Sequence, residues 1–202
     1  MMLSVEKLSK KYSNKSVLNG INFRLSYGEI ISISGPNGSG KTTFLKCLAN
    51  LINFDSGNII SDKNFVFLSD KPNIFGELTI EENLKIILRQ YGQSFDEECF
   101  NISLEQLKIK SLEHLQLKFF SRGNLQRNKL LIAMNIDWDY LLIDEPFSNL
   151  DEDGIKIFQN IFQNWKKNNK SIIFSSHMIE KSKEISTKNF IIKNQDLVQN
   201  VI

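Results

Sequence analysis

Two stretches of this chain hold residues whose types and spacing could do chemistry. Gly35-Pro36-Asn37-Gly38-Ser39-Gly40-Lys41-Thr42, followed by Thr43, fits the pattern G-x-x-x-x-G-K-[ST]. Such a loop needs glycine because backbone N–H groups must curl around phosphate oxygens with no side chain in the way, and a helix starting there adds positive potential. Lys41 would reach the β and γ phosphates of a nucleotide, and the Thr42 hydroxyl would bind Mg2+. The second stretch is Asp144-Glu145, directly after the apolar run Tyr140-Leu141-Leu142-Ile143. Asp144 suits the hydration shell of the metal and Glu145 the polarising of an attacking water; a plainer role for both is to cap the next helix. A third stretch, Ser121-Arg122-Gly123-Asn124-Leu125-Gln126-Arg127, sets a small polar turn ahead of a helix-like run and by itself names no chemistry.

The surrounding pattern shows what must position these residues. Segments 3–12 and 21–35 read as short β-like stretches with a turn at Tyr27-Gly28-Glu29, the second ending in the first glycine of the loop. After the loop, Phe44, Leu45, Leu48, Leu51 and Ile52 recur at helical spacing, so the glycine-rich segment lies between a strand and a helix. A short strand is expected over 64–70. A helix should follow, because Thr79 and Glu82 have capping-box spacing. The pattern then stays helical to about residue 136, as an inserted helical subdomain would. Strand signals return at 140–144 and 171–176, separated by a helix over roughly 152–168, and the segment from 189 reads as a terminal strand pair. Short apolar strands alternating with helices imply a parallel sheet covered on both faces. In such a sheet the strand end carrying Asp144 and Glu145 faces the same crevice as the phosphate loop.

Composition narrows the classes. A chain of 202 residues, 41% hydrophobic, supports one domain with a subdomain and is too short for two full domains. Twenty-five basic and 23 acidic residues leave a formal charge of +2, without the strong basic field that nucleic-acid binding needs, so no nucleic-acid partner is expected. Lys166, Lys167 and Lys170 are expected to form a solvated face. The two cysteines, Cys47 and Cys99, have neither zinc spacing nor the density of a disulfide framework, which favours a reducing compartment and buried, hydrophobe-like roles. No apolar stretch approaches the roughly 18 to 20 residues that span a bilayer, and the first residues lack the apolar segment of a signal peptide. A cytosolic protein touching the membrane only through a partner is therefore expected. His114 is expected to be exposed, and Trp138 and Trp165 to be packing residues.

With GPNGSGKTT, LLIDEPFSNLD and IIFSSH in that order, the chain resembles the ATP-binding subunit of ABC transporters, from about Leu3 to Val198. The resemblance implies an α/β P-loop NTPase. Its parts would be a mostly parallel central sheet, an N-terminal antiparallel β subdomain, and a helical subdomain, about residues 77–136, inserted in a RecA-like core of one domain, 1–202. ATP and Mg2+ would be bound. The partners would be a second ATP-binding subunit, identical or different, and an integral membrane permease that keeps the protein cytoplasmic and peripheral to the membrane. FSRGNLQR takes the place of the family's Leu-Ser-Gly-Gly-Gln signature. Paired head to tail, Ser121 and the backbone of Gly123 would contact the γ-phosphate held by the partner chain. Tyr12 matches the aromatic that stacks on adenine, His177 the switch histidine near the γ-phosphate, and Asp151 the acid of the D-loop. Plainer roles are open to each: a surface-to-core aromatic, a structural histidine, a helix cap.

Two positions depart from the family pattern. Asp70 stands where glutamine is usual; a carboxylate can still bind magnesium but donates no hydrogen bond. Arg122 replaces the first signature glycine, and it either narrows the approach of backbone to phosphate or adds charge to the transition state. The implied activity is hydrolysis of ATP to ADP and phosphate, powering export; the direction rests on the likeness of DEPFSNLD and FSSHMIE to exporter versions. The alternative is a regulatory ATP-binding subunit with weak turnover in an asymmetric heterodimer. A small-molecule kinase fits poorly, since such enzymes need several clamping arginines and this chain has only Arg24, Arg89, Arg122 and Arg127. The resemblance would also dock the permease near Asp70 to Tyr91, with Phe75, Leu88 and Tyr91 as apolar contacts.

Overall fold

In the computed structural model the chain is described over residues 3–200 except 62, 64 and 71–73. It divides into two compact units, one made of Met1–Asp70, Trp138–Pro146 and Phe162–Ile202, the other of Lys71–Asp137 and Phe147–Ile161.

The first unit holds two sheets. In the smaller, β1 (Leu3–Tyr12) lies between β2 (Lys15–Leu25) and β4 (Ser56–Ile60), antiparallel to both. The larger has six strands in the order β5-β6-β7-β3-β8-β9: β5 (Phe65–Leu68), β6 (Tyr140–Ile143), β7 (Ser171–Ser175), β3 (Ile30–Ser34), β8 (Lys188–Lys193) and β9 (Asp196–Gln199). Every pairing in it is parallel except the last. This is the mostly parallel sheet with an antiparallel companion that the resemblance implies. Every residue of β3, β6 and β7 is buried, which is why these strands read as unbroken apolar runs.

One core joins the inner faces of both sheets to α1 (Lys41–Leu48), through Leu18, Ile21 and Leu25, Ile31 and Ile33, and Phe44, Leu45 and Leu48. Phe23 and Phe44 meet edge to face at 5.5 Å. Each such burial is worth roughly 1.5–3 kcal/mol, so α1 is anchored by its apolar face and the loop before it is held in place. The helix stops earlier than its apolar periodicity predicts. Asn50 turns left-handed at φ 54, its N–H reaches the Cys47 carbonyl at 3.1 Å and that of Leu51 the Lys46 carbonyl at 2.9 Å, a Schellman closure. Leu51 is thereby left exposed. β4 and α6 (Ile179–Ile185) fall in segments without a sequence expectation; β4 is a largely exposed edge strand and carries no apolar run to betray it.

Trp138 and Trp165 pack edge to face at 5.1 Å. Lys170 is not part of a free solvated face: its ammonium donates to the Trp138 carbonyl at 2.6 Å and lies 5.0 Å above that ring. Cys47 is buried, and burial pushes its thiol up to about 11, whereas Cys99 is only half-buried.

The second unit contains α2 (Ile80–Gln90), α3 (Glu97–Gln106), α4 (Arg122–Asn135) and the first part of α5 (Glu152–Lys167). The capping box of α2 is complete. Thr79 Oγ1 accepts the Glu82 N–H at 3.3 Å and the Glu82 carboxylate accepts the Thr79 N–H at 2.8 Å, an arrangement worth about 1 kcal/mol. Leu88 is 1% exposed and belongs to this unit's core, not to a docking face, while Phe75 and Tyr91 are exposed. His114 is exposed as expected, its side chain 90% accessible.

Candidate active site

Strand register brings the chemically capable residues of the first unit together. Ile143 pairs with Phe174, and Ile33 with Ser175. The loop after β3, the acids after β6 and Ser176-His177 after β7 therefore leave the sheet at one edge. Gly35 enters the loop at φ 146, where a Cβ would stand 2.7 Å from Ser39 Oγ and 2.9 Å from the Ile192 carbonyl. Gly40 caps α1 at φ 110, and a Cβ there would press on Val17 and Leu18 at 3.0 Å. Glycine is required at both by conformation and by space. Pro36, Asn37 and Gly38 form the exposed bend between them, and Thr43 lies half-buried in the first turn of α1.

The Lys41 ammonium folds back over this loop and donates to the carbonyls of Gly35 at 2.8 Å and Pro36 at 3.3 Å, with Glu145 Oε1 3.9 Å away. From there a line of polar groups crosses the strand ends. Thr42 Oγ1 donates to Asp144 Oδ2 at 2.7 Å, and the other oxygen of Asp144, which is 3% exposed, accepts from Ser175 Oγ. Ser175 Oγ accepts the Glu145 N–H at 3.0 Å. Glu145 Oε2 accepts the His177 N–H at 3.2 Å and lies 2.8 Å from His177 Nδ1. Glu145 itself is left-handed, φ 49.

These groups suit an anionic ligand with a hard cation. A nearly buried ammonium rests mainly on backbone carbonyls, Ser39 Oγ is buried without a hydrogen-bond partner, and the glycines leave a hollow that a Cβ would fill. Among the described residues no group of three or more His, Cys, Asp or Glu could hold a metal unaided. Thr42 and Asp144 instead fit Mg2+, which takes one or two protein oxygens and completes its octahedron from phosphate and water. Asp70 is exposed two residues beyond β5, whose Leu68 pairs with Ile143, so it leaves the sheet at the same edge as Asp144. Tyr12 closes β1 in the small sheet, 49% exposed, with the Lys10 ammonium 5.2 Å from its ring.

Ser121, Gly123 and Asp151 belong to the second unit. Ser121 is the N-cap of α4, its hydroxyl accepting the Asn124 N–H at 3.2 Å. Gly123 lies in the first helical turn, where a Cβ would come 2.9 Å from the Asn149 carbonyl, so this glycine admits a neighbouring backbone. Asp151 Oδ1 accepts the Gly154 N–H at 2.8 Å and Arg127 Nη2 at 3.1 Å. Arg127 also donates to the Leu107 carbonyl at 2.8 Å and Gln126 bonds to Ser148, so the 147–151 segment is tied to α4 by side chains as well as by close packing. Sequence reasoning missed Ser175 and Arg127. Ser175 was legible only as the end of a strand, and nothing in the spacing of Arg127 foretold its pairing with the exposed Asp151.

The fold and this edge define the class: an α/β domain of the ABC ATPase architecture. The family model described as ABC transporter matches residues 18–148, and the chain belongs to that family as an ATP-binding subunit. It is 30% identical over 193 residues to an uncharacterised ABC transporter ATP-binding protein of Methanocaldococcus jannaschii, covering 95% of this chain and 74% of the relative. A phosphonates import ATP-binding protein of Fusobacterium nucleatum is 30% identical over 97% of this chain and 90% of its own length. A lantibiotic transport ATP-binding protein of Streptococcus pyogenes is 27% identical over 92% and 84%. A solved ATP-binding subunit of an ABC transporter shares the fold with a TM-score of 0.86, at 24% identity over 100% of this chain and 90% of that one. ATP-binding domains of this family are ATPases as a class, and they dimerise and work with membrane permeases. No helix among the described residues is long and apolar enough to cross a membrane.

Proposed function

We propose that this chain hydrolyses ATP as half of a dimer and thereby powers export through a separate permease at the cytoplasmic face of a membrane. Residues 1–202 act as one ABC ATPase domain with the helical part, about 77–136, inserted. The observation that carries the reading is the unbroken line Thr42–Asp144–Ser175–Glu145–His177, which leaves one carboxylate for a metal and the next for a water. Lys41 lies within reach of both the loop and Glu145 and so can exchange its carbonyl partners for phosphate oxygens. Mg2+, held by Thr42 and Asp144 with Asp70 near the same edge, supplies charge neutralisation at the phosphates when bound.

Glu145 accepts a proton from water as the water oxygen bonds to the γ phosphorus. The bond from that phosphorus to the β–γ bridging oxygen breaks, and ADP and phosphate leave. His177, 2.8 Å from the carboxylate, orients it. Tyr12, exposed at the end of β1, offers a face for the adenine. Ser121 and Gly123 of a second copy or a relative close the site from the other side, next to an Asp151 that Arg127 holds. Export is supported by the likeness of DEPFSNLD and FSSHMIE to exporter versions; since similarity extends to an importer's subunit, direction is assigned separately, by whether cargo moves into or out of vesicles carrying the permease.

In Glu145→Gln, turnover should fall about 10²- to 10⁴-fold while ATP binding persists and an ATP-loaded dimer accumulates on size exclusion. Adding Ser121→Asp, which still caps a helix but repels phosphate, should dissolve that dimer. Unchanged phosphate release would remove Glu145 from its role, and a dimer indifferent to Ser121→Asp would remove the contact in trans.

A further inference from the structure

The hydroxyl that joins the two acids has no role in the pattern that led to them. Ser175 ends β7 with no exposed surface, its main chain paired to β3 through Ile33. A carboxylate can only accept a hydrogen bond and an amide N–H can only donate one, so the directions at Ser175 are fixed. Its Oγ donates to Asp144 Oδ1 and accepts the Glu145 N–H at 3.0 Å, using one proton and one lone pair. The neighbouring Ser176 faces elsewhere, accepting the Met178 N–H at 3.0 Å. Strand alternation thus assigns one serine to the following loop and one to the acids.

Glu145 is left-handed at φ 49, a conformation that a residue with a Cβ avoids unless its surroundings impose it. That backbone turn sends the Glu145 side chain toward Lys41 and His177. We propose that Ser175 is a positioning residue: its hydroxyl holds Glu145 in the left-handed turn that aims its carboxylate, and at the same time fixes the oxygen of Asp144 that Thr42 does not bind. This deepens the proposed hydrolytic function and rests on it for its kinetic consequences, but not for its geometry.

The test compares full-length wild type with Ser175→Ala, Ser175→Thr and Ser175→Val; the last two share a shape and differ by the hydroxyl. In the hydrolysing assembly Ser175→Ala should lower kcat roughly ten- to a hundredfold, as loss of a supporting hydrogen bond at such a site does, with KM for ATP changed by less than about threefold. Ser175→Thr should recover most of the loss and Ser175→Val should not. Independently of any turnover, the Glu145 amide should be protected from hydrogen exchange in the wild type and exchange at least tenfold faster in Ser175→Ala, with the Tm held. Equal kcat for Ser175→Thr and Ser175→Val, or a Glu145 amide that exchanges alike in wild type and Ser175→Ala, would overturn the assignment. A wild type that neither binds nor hydrolyses ATP would sink the proposed function instead, and the amide measurement would still decide the role of Ser175.

Discussion

The strand-end edge of the first unit and the N-terminal turn of α4 in the second are built on opposite plans. At the strand ends, polar side chains are bonded to one another: a hydroxyl from α1, a carboxylate just after β6 and a hydroxyl from β7 stand in one line before any ligand is considered. In the α4 turn and the 147–151 segment, Ser121, Gly123 and Asp151 each already have a local structural task. The Ser121 hydroxyl caps its own helix, Gly123 makes room for the Asn149 carbonyl, and Asp151 caps α5 while pairing with Arg127. A preorganised line can act on its own ligand, whereas the turn offers a rigid shape. In the dimer proposed above, the turn acts on the ligand of another chain.

Breaking each region in turn sharpens that contrast. The largest effect is expected at Lys41, which is 7% exposed: Lys41→Ala should cost about 2–5 kcal/mol of ATP affinity in the isolated chain, measured by calorimetry, while Ser121→Ala leaves that affinity unchanged. Equal losses from the two would mean that both regions bind the same nucleotide within one chain. Next comes Gly123→Ala. Its methyl would stand 2.9 Å from a backbone oxygen that no side-chain rotation can move, so stability should drop by about 1–3 kcal/mol in thermal or denaturant unfolding. An alanine accommodated without loss would show that the 147–151 segment yields easily and that the turn is not rigid.

The smallest effect has the opposite sign. Asn128, buried in α4, has neither its amide nitrogen nor its carbonyl oxygen hydrogen-bonded. Asn128→Leu, close in shape and without the polar atoms, should therefore stabilise the chain by about 1–2 kcal/mol, seen as a Tm raised by a few degrees. A lowered Tm would reveal a partner for that amide and remove the idea of an unsatisfied group.

Much of this molecule was legible from contiguous residues. Gly35 to Thr42 announced the loop, and Thr79 with Glu82 announced the start of α2, because both motifs close their hydrogen bonds within a few residues. The apolar runs of β6 and β7 were visible because parallel strands are buried on both faces. The edge strand β4 was not, since Ser56 to Asn58 face solvent and supply no pattern. The end of α1 was misread for a related reason: apolar periodicity continues through Leu51, but the left-handed turn at Asn50 stops the helix.

The motifs, their order and the alternation of apolar strands with helices were enough for the family and the mostly parallel sheet, since these depend on spacing along the chain and on burial. Which hydroxyl reaches which carboxylate was decided only by tertiary structure. Ser175 and Asp144 are 31 positions apart, and only the pairing of Ile143 with Phe174 sets them side by side. The left-handed turn of Glu145 and the close approach of Gly123 to Asn149 are of the same kind. Each involves a group from another segment, the Ser175 hydroxyl that accepts the Glu145 N–H and the Asn149 carbonyl beside Gly123, and such contacts exist only once the chain has folded.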